Sequence, residues 1–329
     1  MRLIFTSLLF WWATISHLFA QQAPQYSLYL LNQYAVNPAY AGLDNTLVGT
    51  AVYRKQWSGL LGAPVTQHVN AHLPIYRISS GIGLKVENDV IGAHRTTSAA
   101  LSYSYQFPLG REAILSIGAG GGYLQYSLDG SKLRAPEGTY AEPGGVFNHN
   151  DPRLSEGKIQ TGTPFGEAGI FLQTKRLELS AAVQPVFAPI LRFTGTGDNG
   201  FGLTPVRQYL VYGAYLFSFG DNFTLKPGFL LKSDITETQS EISAMARWRE
   251  NIFAGLSYRG FSASARDAMI LFGGFKLNEK ATLGYAFDIP LSPLQAANRG
   301  SHELLLRYSL NKPIGTGKMP PIIYNPRFF

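Results

Sequence analysis

From about residue 46 onward, the chain alternates apolar with small or polar side chains in segments of roughly nine to fourteen residues, parted by Gly, Pro, Asn and Asp clusters. A period of two sends the two parities to opposite faces of a strand, so each segment reads as a strand with one apolar and one polar face. Fourteen segments run near 46–57, 66–75, 80–88, 95–107, 112–125, 165–174, 176–187, 206–218, 222–233, 237–247, 251–260, 267–276, 280–288 and 301–309. Leu101, Tyr103, Tyr105 and Phe107 oppose Ser102, Ser104 and Gln106, and Leu304, Leu306 and Tyr308 oppose Glu303 and Arg307. Phe253 and Leu305 break the pattern by placing apolar side chains on the polar parity. A soluble sandwich would set solvated charge opposite its core face. Here the polar parity is mostly Gly, Ser, Thr and charges of both signs, and aromatics sit near segment ends. The pattern predicts an all-β fold, a 14-stranded antiparallel transmembrane β-barrel with a lipid-facing band, aromatic girdles and a polar lumen.

Loop lengths provide a separate test. Connections after even-numbered strands are short, as at 76–79, 108–111, 175, 219–221, 248–250 and 277–279. Those after odd strands include the two longest, 126–164 and 188–205. Short periplasmic turns and long exterior loops are what an even-stranded barrel shows. Before the barrel, Arg2 followed by the apolar run Leu3 to Phe19, with Ala20 ahead of Gln21 and Gln22, predicts a signal peptide over residues 1–20. The expected organisation is then an N-terminal segment at 21–45, which contacts periplasmic machinery or plugs the pore, the barrel at 46–310 and an extended C-terminal tail at 311–329. Pro313, Pro320, Pro321 and Pro326 keep that tail from forming a fifteenth strand, and it is expected on the periplasmic side or inside the lumen. Mean hydropathy of -0.01 is too polar for a helical membrane bundle, while 45% hydrophobic residues are too many for a disordered chain. The net charge of +7 comes from 28 Lys and Arg with no run of four, so the basicity is diffuse and no nucleic-acid partner is expected.

Catalytic and metal-binding patterns are sparse. The absence of Cys excludes disulfides, thiolate metal sites and Cys nucleophiles. His68 and His72 at i,i+4 would share a metal on a helix, but on a strand they stand about 13 Å apart, as polar lumen residues. The run Gly118 to Gly122 lacks the Lys-Ser or Lys-Thr of a phosphate loop and reads as small residues in a tightly packed strand. Ser301 and His302 are adjacent, so on a strand they face opposite ways and make a poor nucleophile and base. The acidic residues Asp129, Glu137, Glu142, Asp151 and Glu156 are too scattered for an EF-hand. The inward charges Lys85, Glu87, Glu178, Lys226, Glu241, Arg247, Arg259 and Arg307 are mixed in sign and are expected to pair across the lumen. No enzyme, cofactor or metal site is expected.

Stretches spread over nearly the whole mature chain carry a resemblance. They include Gln25-Tyr26-Ser27-Leu28-Tyr29, Asn37-Pro38-Ala39-Tyr40-Ala41-Gly42, Tyr53-Arg54-Lys55-Gln56-Trp57 and Gly62-Ala63-Pro64. Further along stand Gly83-Leu84-Lys85-Val86-Glu87-Asn88-Asp89, Leu225-Lys226-Pro227, Ala254-Gly255-Leu256-Ser257-Tyr258-Arg259 and Leu283-Gly284-Tyr285-Ala286-Phe287-Asp288, and the chain closes on Asn325-Pro326-Arg327-Phe328-Phe329. In order and spacing these resemble the PorP/SprF family, outer-membrane proteins of the type IX secretion and gliding system of Bacteroidetes. The resemblance implies an outer-membrane location and a non-enzymatic role in exporting or anchoring large adhesins that carry a C-terminal sorting domain. It also implies contact with other type IX secretion components and with outer-membrane lipid. A passive porin or solute channel is the competing reading, since a polar lumen allows it. Large exterior loops are where partners would bind. Their aromatics and arginines, Tyr140, Phe147, Arg153 and Arg192, are the expected contacts, because such side chains dominate binding energy when an interface buries them.

Overall fold

The computed structural model describes residues 24–140, 147–151, 154–193, 201–260 and 266–312. The expected signal peptide, Arg153 and the tail from residue 313 lie outside the described residues. Fourteen strands form the wall. They are β1 (Val48–Lys55), β2 (Val65–Ile75), β3 (Ser80–Ile91), β4 (His94–Leu109), β5 (Ala113–Asp129), β6 (Lys158–Thr174) and β7 (Leu177–Phe187). β8 (Gln208–Tyr215, continued by Phe217–Phe219), β9 (Phe223–Ser233), β10 (Thr238–Trp248), β11 (Ile252–Gly260), β12 (Arg266–Lys276), β13 (Ala281–Pro290) and β14 (Ser301–Ser309) follow. Each strand pairs with its chain neighbour, and β1 pairs antiparallel with β14 from Val48↔Ser309 to Lys55↔His302, so the sheet closes without an edge.

All fourteen expected strands are present, and the main differences are at their ends. β5 and β6 stay paired out to Asp129↔Lys158, so the first long loop is 130–157 rather than 126–164. The reason is that a ladder can continue past the membrane as a two-stranded ribbon, where Gly162 and Thr163 cost little and no lipid-facing apolar parity is required. β3 likewise extends through Asn88 and Asp89 to a tight turn at Gly92 and Ala93.

The outward parity is bare hydrocarbon. Leu101 is 68% exposed and Leu256 58%, whereas the inward Ser104 and Ser257 are fully buried. Exposed Phe107, Phe219, Trp248, Phe275 and Tyr308 gather at the short-turn end, and Tyr53, Tyr123, Phe187 and Tyr258 toward the long-loop end, two girdles at the heights of the two interfaces. No described helix is long and apolar enough to cross a membrane. Both chain ends of the barrel, Val48 and Ser309, lie at the short-turn end, which is therefore periplasmic, and the long loops are exterior.

Candidate functional site

The lumen is occupied by the chain's own N-terminal segment. Residues 24–47 form two 3₁₀ turns, Tyr29–Leu31 and Pro38–Tyr40, around a one-turn helix, α1 (Gln33–Val36). Nearly every residue from Ser27 to Asp44 is buried. The segment contacts strands around the whole circumference, which only a body inside the barrel can do. Its path runs from the exterior end of the lumen, where Lys232 near the end of β9 donates to the Pro24 carbonyl, to the periplasmic end, where Arg307 near the end of β14 holds Asp44. We call it the plug.

Two anchors hold it. The first is built on Asn37, whose extended backbone lets its side chain accept from Ala39 N at 2.8 Å and cap the following turn, with Pro38 at that turn's first position. The same amide donates across the lumen to Ile170 O on β6 and Ser180 Oγ on β7, both at 2.8 Å. Ser116 donates to the Ala39 carbonyl at 2.6 Å and Ser104 to the Ala41 carbonyl at 2.7 Å. The plug's backbone thus satisfies its carbonyls from the wall's serines, which explains a lumen parity rich in Ser. Glycine permits the close approach: a Cβ at Gly118 would overlap the Ala39 Cα, and one at Gly81 would overlap the Ala41 carbonyl.

The second anchor is ionic. Arg54 on β1, with a side chain 1% exposed, bonds Asp288 Oδ2 at 2.7 Å, Glu303 Oε2 at 3.1 Å and Ser27 Oγ at 2.8 Å. Arg259 on β11 joins from the other side, to Glu241 at 2.8 Å and Asp288 at 2.9 Å. Glu303 then accepts the backbone N–H groups of Ser27 and Leu28 at 2.7 and 3.0 Å, so a network of two arginines and three carboxylates grips two plug peptides. At the periplasmic end, Asp44 pairs with Arg307 at 2.6 Å and lies 3.5 Å from His72 Nε2, while Tyr76 donates to the Asn45 carbonyl. Burial raises the Tyr76 phenol above its ordinary value of 10.0, so at physiological pH it remains a donor.

Between these anchors apolar contact is interspersed with single hydrogen bonds, such as Tyr29 Oη to Ser243 Oγ at 2.8 Å and Asn70 Nδ2 to Asn32 Oδ1 at 2.9 Å. Leu28, Leu30, Leu31, Tyr34 and Tyr40 join Phe171, Leu210, Leu230, Phe253, Ile270 and Leu305 in one buried cluster. Phe253 and Leu305, which broke the polar parity, are the wall's seat for the plug.

Six of the eight predicted charges stand in ion pairs with carboxylates or cations, Lys85 with Glu167 at 2.6 Å, Lys226 with Glu178 at 2.7 Å, Arg259 with Glu241, and Arg307 with Asp44 of the plug, while Glu87 lies 3.2 Å from His68 Nδ1. His68 and His72 are lumen residues, bonded to Asn70 and to the Gly42 N–H respectively. Among the described residues no group of His, Cys, Asp or Glu is placed to hold a metal. Ser301 accepts from Trp57 N in the lumen while His302 bonds Tyr285 outside it, so the two form no nucleophile and base pair.

Of the four loop residues expected to bind partners, Arg153 lies outside the described residues, Tyr140 and Phe147 stand together on the first long loop, and Arg192 is on the second. Tyr140 and Phe147 pair in a two-residue ribbon, Thr139–Tyr140 with Phe147–Asn148. Tyr140 Oη accepts from Ala135 N at 2.6 Å and bonds His149 Nδ1 at 2.8 Å, while the Arg134 guanidinium lies 4.7 Å from the Tyr140 ring centre and 5.0 Å from that of Phe147. Both aromatics form the loop's internal core. Arg192 is exposed between buried Leu191 and Phe193, which pack with Tyr126 over the exterior end of β5. Sequence reasoning left the N-terminal segment either against periplasmic machinery or plugging the pore; the structure places it in the lumen, on residues of the wall that include Phe253 and Leu305.

Solved structures share this architecture. The Ralstonia pickettii toluene transporter TbuX matches with a TM-score of 0.50 at 12% identity, over 85% of this chain and 92% of that one. The CymD monoaromatic hydrocarbon channel gives 0.45 at 11% identity over 84% and 90%, and the Acinetobacter baumannii outer membrane protein Omp33 gives 0.45 at 9% over 80% and 98%. At such identities TbuX attests the fold alone. No curated protein sequence matches the chain. The family model described as type IX secretion system membrane protein PorP/SprF matches residues 18–308, which span the plug and all fourteen strands, and the chain belongs to that family as an outer-membrane component of type IX secretion.

Proposed function

We propose that the protein is a non-enzymatic scaffold of the secretion machine, which holds a secreted adhesin carrying a C-terminal sorting domain at its exterior face while the lumen stays closed. The observation that carries this reading is the plug. A lumen filled by a segment bonded to strands on every side, with an ion network buried at its exterior end, suits a rigid platform better than a passage for solute. The described parts of the two long exterior loops suit partner binding because their side chains are held in place, Tyr140 by His149 and Ala135 on one and Leu191 and Phe193 over Tyr126 on the other, with Arg192 outward. The channel neighbours share the architecture but, on this reading, not the open path.

A strain lacking the gene, compared with its parent and with a plasmid-restored strain, tests the reading by surface and secreted proteomics. Selective loss of one or a few large adhesins from the surface is the expected result. An unchanged surface proteome would overturn it.

A further inference from the structure

One sector of the outer wall changes character just above the hydrocarbon band. Val69, Val86, Ala99 and Tyr123 stand in one register row on β2 to β5 and face outward, Val69 57% and Tyr123 56% exposed. Two residues further toward the exterior, a rise of about 7 Å, the outward row becomes Gln67, Asn88, Thr97 and Gln125. Its side chains are cross-linked, with Thr97 donating to Asn88 Oδ1 at 3.2 Å and the Asn88 amide reaching toward Gln67 Oε1 at 3.5 Å. The headgroup layer extends about 5–7 Å beyond the hydrocarbon on each side of a bilayer, so this row lies within it. One row higher, Lys55 and Arg95 end a register line that runs through Val65 and Val90, three strand spacings or about 14 Å apart. Both are exposed, and neither forms an ion pair among the described residues. The two loops above the sector, 56–64 and Gly92–Ala93, lie within the described residues and leave Gln67, Lys55 and Arg95 exposed. On β10 to β13 there is no such band: the outward row Ile242, Tyr258, Met269 and Ile289 is apolar and stands next to the strand ends at Gly260 and Pro290.

We propose that this sector binds the headgroup of a phosphorylated glycolipid of the outer leaflet, with sugar hydroxyls on the Gln67, Asn88 and Thr97 row and phosphates at Lys55 and Arg95. Carboxamides and a hydroxyl both donate and accept, as a sugar hydroxyl requires of its partners. Two cations set apart on one line match a headgroup that carries phosphate at both ends of a disaccharide, whereas a diacyl phospholipid brings one phosphate to one place. Arg95 can take its phosphate through two parallel N–H bonds, and Lys55 acts as a point charge. The acyl chains then lie on Val69, Val86 and Ala99 below. The proposal needs only a barrel in the outer membrane with this end exterior, and it stands apart from the scaffold reading.

The test is native mass spectrometry of the purified full-length barrel in detergent with three probes: bisphosphorylated lipid A, the same lipid with both phosphates removed, and phosphatidylglycerol. Bisphosphorylated lipid A should bind at least about ten-fold more tightly than either of the others, the sum of two exposed ion pairs. Lys55→Gln with Arg95→Gln should bring it level with the dephosphorylated lipid. Gln67→Leu with Asn88→Leu should weaken both glycolipids and leave phosphatidylglycerol unchanged. Arg77→Gln with Arg111→Gln removes two exposed cations from the periplasmic turns and should change nothing, which separates the site from general charge attraction. Heat-modifiable gel mobility confirms a folded barrel for each variant. Equal binding of the three lipids would overturn the proposal. So would lipid A binding that survives loss of Lys55 and Arg95, or that falls as far when Arg77 and Arg111 are replaced.

Discussion

Single residues decide whether the plug stays. Arg54 is the most exposed to test, because Asp288 and Glu303 depend on it and both lie in the lumen with almost no access to water. Removing one partner of a buried ionic network leaves its counter-charges uncompensated, at a cost of about 3–5 kcal/mol. Arg54→Met is therefore expected to release the exterior half of the plug while the barrel stays folded. The plug contains no Lys or Arg, so chymotrypsin is the probe: it should cut the variant at Tyr26 to Tyr29 and spare the parent. Equal protection of both would show that the ion network does not hold the segment. Tyr76 gives a pH signature at the opposite end. Its phenol is raised by burial, so the folded state favours the neutral form. The contribution is complete below about pH 10, where the free phenol also stays protonated, and is lost as pH rises through the higher folded value. Chymotryptic protection around Asp44 to Leu47 should hold from neutral pH to about pH 9 and weaken above 10, and Tyr76→Phe should abolish that dependence.

At the scale of elements, strands were legible because their physics is local and periodic. Leu101 to Phe107 alternate so regularly that lipid and lumen faces could be assigned without a structure, and turn chemistry marked where the chain reverses. Strand ends beyond the bilayer were not legible, because nothing distinguishes a paired ribbon such as Ser127 to Asp129 with Lys158 to Gln160 from loop once the lipid face ceases to matter. That the N-terminal segment plugs the pore was legible as one of two placements, but its conformation and contacts were hidden for a different reason. It is a short run of turns with no period of its own, stabilised by contacts up to 276 residues away in sequence, such as Ser27 N to Glu303. Its traces were on the wall instead, in Phe253, Leu305 and the glycines of β5. The loop residues Tyr140 and Phe147 were chosen as partner contacts for their type, but type does not tell an interface aromatic from one packed in its own loop. Tyr140→Ala is accordingly expected to expose 130–157 to protease, since it removes the Ala135 and His149 bonds and the Arg134 stacking, with little effect on barrel stability. Unchanged loop protection would show that the ribbon does not depend on that core.

At the scale of the whole molecule, several of the stretches that carry the family resemblance converge on one place. Asn37 to Gly42 is the plug's first anchor, and Arg54, Arg259 and Asp288 belong to its second. Lys226 lies in the lumen wall, and Lys85, Glu87 and Asp89 line a cavity above the plug. Separate along the chain, these stretches meet inside the barrel, which makes the closed lumen the property that organises the protein. Planar-bilayer recording of the purified barrel tests this most directly, comparing the intact chain with one lacking residues 24–47. The intact protein should be silent, and the deletion should conduct in stable steps through an emptied lumen. Sustained conductance of the intact protein equal to that of the deletion would contradict the account and return the molecule to the porins.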